Sequence, residues 1–131
     1  MATQDDIRQI CSTLPGAMEG ESRFGFSVEV KGKAKGFLWS WAEKVHPKKP
    51  REINDSVVAI CVPNLVAKDA ILAGNPEWSV EDPHYNGYPA VLVRLEAIER
   101  DELEDLVIEA WRTKAPKDLL ALHHLERQDG P

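Results

Sequence analysis

Cysteine is scarce in this chain and long apolar runs are absent, and each lack removes a class of explanation. Only Cys11 and Cys61 occur among 131 residues. They form no CxxC pair and both sit in apolar patterns, so they read as small buried side chains in a reducing compartment, neither a disulfide framework nor a thiolate metal site. No apolar stretch approaches the roughly 18 residues that span a bilayer, and the opening MATQDDIRQ lacks the basic-then-apolar layout of a secretory signal. A cytoplasmic protein without a membrane partner is expected. The order GxxxxGKS/T is missing, so Gly32 and Gly36 in KGKAKG do not make a phosphate loop, and no GxSxG elbow or locally activated cysteine can be read. His46 and His84 have no ligand at metal spacing, and the adjacent His123 and His124 point to different sides of a helix. No metal, cofactor or catalytic residue is expected, and the chain reads as non-enzymatic.

What is present is a local reversal of charge. The chain carries a net −6, yet residues 31–51 hold Lys31, Lys33, Lys35, Lys44, Lys48, Lys49 and Arg51 against the single acid Glu43, a balance of +6. The remainder therefore carries −12. A basic segment interleaved with Trp39 and Trp41 can attract phosphate if it stands clear of the acidic surface, with base stacking available to any exposed ring. Phe37, Trp39 and Trp41 also fall at period-2 spacing, which places all three on one strand face, and such a stripe is ordinarily core.

The hydrophobic periodicity predicts the frame that would carry this segment. Thr3 caps a helix with Ile7, Ile10, Cys11 and Leu14 inward, stopped by Pro15-Gly16. Phe24, Phe26, Val28 and Val30 alternate as a strand, Lys31-Gly32-Lys33 turns, and Phe37 to Trp41 returns as the second strand of a hairpin. From Ala42 to Asn54 the polar, Pro47- and Pro50-interrupted sequence predicts an exposed loop. SVVAICV, residues 56–62, is a continuous β-branched run expected in the middle of the sheet. Asn64 caps a helix closed by Gly74-Asn75-Pro76, Trp78 and Val80 suggest a short strand, and residues 83–89 form a turn before the strand AVLVRLEAI. Asp101 with Glu104 resembles a capping box for a helix carrying Leu103, Leu106, Val107, Ala110 and Trp111. A last helix follows Pro116, with Leu119, Leu120, Leu122 and Leu125 on it. The expectation is one domain over residues 1–131, an α+β fold whose sheet is covered on one face.

The passages LPGAMEGESRFGFSVEVKGKAKGFLW, SVVAICVPNLVAKDAILAGNPEW and DPHYNGYPAVLVRLEAIERDELEDLVIEAWRTKAPK, in this order and over nearly the whole chain, resemble the MmcQ/YjbR family of small bacterial proteins. That resemblance implies an antiparallel sheet with hairpin wings packed against helices, similar to frataxin (CyaY-like), and a DNA-binding role; it implies no catalytic set. On this reading DNA is the partner and Lys31, Lys33, Lys35, Lys44, Lys48, Lys49 and Arg51 hold it. The alternative is a small-molecule or protein-interaction module with no nucleic-acid role, using a cleft near residues 83–89 rimmed by His84, Tyr85 and Tyr88.

Overall fold

The computed structural model describes the backbone of residues 1–129 and side chains as far as His124. Leu125, assigned above to the last helix, has its side chain outside that range. Among the described residues the order is α1 (Gln4–Cys11), β1 (Met18–Glu19), β2 (Gly25–Val30), β3 (Lys33–Glu43), β4 (Glu52–Cys61), α2 (Leu65–Ala73), β5 (Ser79–Val80), β6 (Ala90–Arg94), α3 (Arg100–Lys114) and α4 (Lys117–Asp129), with single turns of 3₁₀ helix at Pro83–Tyr85 and Leu95–Ala97. The strands form one open antiparallel sheet in the order β1-β2-β3-β4-β6-β5. The α+β expectation holds. No helix among the described residues is long and apolar enough to cross a membrane.

Two clusters of buried side chains flank the sheet. The larger joins Ile7 and Ile10 of α1 and Leu103, Val107, Ala110 and Trp111 of α3 to Phe26, Val28, Leu38, Val58, Ile60, Val91 and Val93. The smaller lies on the other face, where Trp41, Val57, Ala59 and Leu92 meet the partly buried Trp39, Val80 and Tyr85. The sheet is therefore not bare behind: the turn preceding β6 folds back over it. Strand β4 lies between β3 and β6, and Val57 to Ile60 are fully buried, so the β-branched run is the interior strand that its composition predicts.

Four local expectations need correction. First, Phe37 does not share a face with Trp39 and Trp41. The register of β2 on β3 passes from Ser27 opposite Gly36 to Phe26 opposite Leu38, which leaves Phe37 as an extra residue in β3. This bulge turns Phe37 and Leu38 together into the larger core, while Trp39, opposite Ala59, stands on the face of the smaller cluster and packs against both clusters. Gly25 permits the close approach there, since a Cβ at that position would lie 2.7 Å from the Leu38 carbonyl oxygen. Second, the loop is shorter than residues 42–54: Glu52 to Asn54 pair with Trp41 to Glu43, because ladder hydrogen bonds need no apolar side chains. Third, α3 begins at Arg100 behind an uncapped Glu99, so Asp101 lies inside the first turn and does not cap it. The Arg100 guanidinium instead ties Glu104 to Asp6 of α1. Fourth, the last predicted strand stops at Arg94, and Leu95 to Ala97 turn as a 3₁₀ helix.

Both cysteines are buried and unpaired. Burial pushes the Cys11 thiol up to about 12, with the Glu19 charge adding to it, and burial also raises Cys61. Protein purified without reductant should therefore titrate two thiols after denaturation and react slowly while folded. A denatured count near zero would contradict this placement.

Candidate functional site

Strand β3 decides how the cationic segment is displayed. Lys31, Lys33 and Lys35 sit at the tip of the β2–β3 hairpin, whose two-residue turn has Lys31 at φ 52° and Gly32 at φ 80°, the positive pair of a type I′ turn. Lys44, Lys48, Lys49 and Arg51 sit in the connection at the other end of β3. At about 3.3 Å per strand residue, the run from Lys35 to Lys44 sets the nearest members of the two groups roughly 30 Å apart. The seven cations thus form two sets, not one patch. The β3–β4 ladder starts only at Leu38, and β1 pairs only with Phe26 and Ser27, so both strand edges are unpaired among the described strands beyond those points, and past the buried Val28 the exposed tip from Lys31 to Gly36 projects.

The second set is further divided by its own bonds. The Lys44 ammonium donates to the Lys49 carbonyl at 2.8 Å, and His46 Nδ1 accepts from the Lys48 backbone N–H at 3.1 Å. Arg51 Nη1 donates to the Ala42 carbonyl at 2.6 Å and to Asp82 Oδ2 at 2.9 Å. Asp82 Oδ2 also accepts from Trp41 Nε1 at 2.9 Å, and its Oδ1 from the His84 N–H at 3.0 Å. Burial alone would raise this carboxyl, but the bonds from Arg51, Trp41 and the His84 N–H outweigh it and hold the pKa at about 2. Asp82 thereby fastens the loop before β4 to the turn before β6.

Around that fastening the chain builds a cleft of about 290 Å³ lined by Arg23, Trp39, Ala42, Arg51, His84, Tyr85 and Tyr88. Trp39 Nε1 donates to Tyr85 Oη at 3.0 Å, and the Tyr88 ring stands edge-on to both, with centroids 6.4 Å from Trp39 and 6.0 Å from Tyr85. His84 stands edge-on to Tyr85 at 5.7 Å. From below, Lys68 of α2 donates to the carbonyls of Tyr85 at 2.6 Å and Tyr88 at 2.8 Å, fixing the turn; burial lowers its pKa. Arg23 enters from the segment before β2 and donates through Nη2 to the Ser40 carbonyl. Tyr88 keeps 44% of its surface exposed, a rim position for a large ring.

His84, Tyr85 and Tyr88 therefore meet in one cleft, and of the seven cations only Arg51 joins them. Sequence reading did not single out Arg23 or Asp82. Asp82 before Pro83 is a turn initiator that could have been noticed, since its carboxylate caps the turn it starts. Arg23 carries no local signal; only the sheet brings it to Trp39. Among the described residues no group of three His, Cys, Asp or Glu side chains is placed to hold a metal.

No family model matches the chain. Over 129 residues it is 36% identical to uncharacterized proteins Rv2570 and MT2646 of Mycobacterium tuberculosis and Mb2600 of Mycobacterium bovis, covering 92% of this chain and 94% of each of them. The crystal structure of Deinococcus radiodurans protein DR2400, a DUF419 domain, superposes with a TM-score of 0.63 at 17% identity, over 95% of this chain and 89% of that one. At that identity the likeness is one of fold. The six-stranded sheet with its helices is thus a DUF419-like fold, and by sequence the chain belongs to the family of the mycobacterial proteins Rv2570, MT2646 and Mb2600.

Proposed function

We propose that the protein is a non-enzymatic, cytoplasmic binding module of the MmcQ/YjbR kind, and that it takes a small planar ligand in the cleft between Trp39, His84 and Tyr88. The observation that carries this is convergence: four separate segments deliver two guanidiniums and four aromatic or imidazole rings to one concavity, and a buried carboxylate holds its walls together. Ligand sites are typically concave and largely apolar with a few fixed polar groups, and about 300–1,000 Å³ in size, which puts this cleft at the small end. Nothing in the cleft pairs a nucleophile with a base, so binding without turnover is the reading.

DNA is the second reading, and the exposed lysines favour it: Lys31, Lys33, Lys35, Lys48 and Lys49 form no ion pair among the described residues. Against it stand the split into two sets, the engagement of Arg51 by Asp82, and the −12 charge elsewhere, which opposes a broad phosphate-binding face.

One pair of titrations separates the two. A labelled DNA duplex is titrated at low and moderate salt with wild type and with the variant carrying K33Q, K35Q, K48Q and K49Q. A thermal-shift screen of planar small molecules is run with wild type and Tyr88→Ala. Expected are ligands that raise the melting temperature of wild type and not of Tyr88→Ala, with DNA binding weak in both proteins. A steep salt dependence that the quadruple variant flattens, without any Tyr88-dependent ligand, would replace the first reading by the second.

A further inference from the structure

We infer that the ligand of this cleft is a planar ring bearing one anionic group, with the ring against Trp39 and Tyr88 and the anion on Arg23; this rests on the binding role proposed above. Charge decides the sign. Arg51 and Asp82 neutralise each other, and the Asp82 carboxylate lines a neighbouring pocket and is not among this cleft's lining residues. Arg23 forms no ion pair among the described residues, and its hydrogen bond to the Ser40 carbonyl uses Nη2 alone. An entering group therefore meets two guanidinium surfaces and no carboxylate. Both hydrogen bonds of Arg51 use Nη1, so among the described residues its Nε and Nη2 hydrogens have no acceptor and can serve a ligand.

The same surroundings reject the other ligand classes. An aromatic cage binds a quaternary ammonium through ring faces, but here the cation would stand beside the uncompensated Arg23 guanidinium. A neutral polar ligand could take a hydrogen bond from the Tyr85 hydroxyl, which only accepts from Trp39 Nε1, but it would leave the Arg23 guanidinium without a counter-charge. A planar guanidinium, by contrast, pairs in two-point fashion with a carboxylate or a phosphate. The volume of about 290 Å³ admits one or two fused rings with that head group and little more. The head group can come from a carboxylic acid or from a phosphate monoester, which differ in charge and in the number of acceptor oxygens.

Calorimetric titration with 2-naphthoate, 2-naphthamide and 2-naphthyl phosphate tests the inference, in wild type, Arg23→Gln, Arg23→Lys and Tyr88→Ala. Arg23 and Tyr88 are exposed, so all three variants should fold, which circular dichroism verifies. Expected is at least a ten-fold preference for an anion over the amide in wild type, reduced to three-fold or less in Arg23→Gln, partly kept in Arg23→Lys, and weak binding of every probe to Tyr88→Ala. Whichever anion binds more tightly identifies the head group. If amide and anions bind equally and Tyr88→Ala weakens both, the anionic assignment is overturned and the cleft stands as a site for neutral rings. If no probe binds at millimolar concentration, or Tyr88→Ala changes nothing, both the assignment and the binding role fall.

Discussion

Trp111→Ala should destabilise the protein by about 3–5 kcal/mol, the usual cost of emptying a fully buried aromatic site. Trp111 is completely buried in the last turn of α3, its Nε1 donates to the Pro15 carbonyl at 2.9 Å, and its ring lies 4.9 Å from that of His123. One side chain thus touches the sheet, the turn after α1 and α4 at once. The alanine removes the packing and also leaves a carbonyl without its donor, and α3 cannot collapse inward because Leu103 and Val107 already fill the sheet face. For a chain of this length the loss corresponds to roughly 10–20 °C in Tm. Trp111→Phe keeps most of the volume and should cost about 1–2 kcal/mol, so thermal melts of the pair separate packing from the hydrogen bond. Equal melting temperatures for wild type and the alanine variant would mean that α3 is not seated as described.

Asp82→Ala should have the next largest effect, and its effect should depend on pH. The substitution strips one acceptor from three donors, Arg51 Nη1, Trp41 Nε1 and the His84 N–H. The Asp82 side chain is only 8% exposed but that of Arg51 is 29% exposed, so water screens part of the loss and about 2 kcal/mol is expected at pH 7, below the cost of breaking a fully buried pair. In the folded protein the carboxyl titrates at about 2, below its unfolded value near 3.9. Its contribution is therefore complete above the unfolded value and is lost as the pH falls from about 4 through about 2. Denaturant titrations at pH 7 and pH 2 check this: wild type should lose its advantage over the variant at the lower pH. A difference that stays constant over that range would show that the charge of Asp82 does not carry the effect.

The parts of the fold that were legible in the sequence were those written in side-chain hydrophobicity over a long enough run. Val57 to Ile60 could only be interior, and Val91 and Val93 alternate with Leu92 between the two clusters as their spacing predicts. What escaped was written in the backbone. The extra residue at Phe37 inverts the facing of everything after it, so period-2 counting gave Phe37, Trp39 and Trp41 a common side that they do not have. The pairing of Glu52 to Asn54 uses peptide groups that every sequence possesses. For the cleft, His84, Tyr85 and Tyr88 stood close together in sequence and could be grouped. Arg23 and Trp39 reach them only through the sheet, and Arg51 only through Asp82.

The projecting hairpin tip has a meaning that requires no partner. A ribbon from Glu29 to Gly36 with two unpaired flanks offers peptide groups to any other extended chain, including a second copy of itself. Lys31, Lys33 and Lys35 make two such tips repel, and the turn glycine gives an approaching strand no side chain to pack against. The sign reversal that reads as an invitation to phosphate is thus also a device for colloidal stability: it keeps an exposed ribbon from becoming the first rung of an intermolecular sheet when the protein is concentrated.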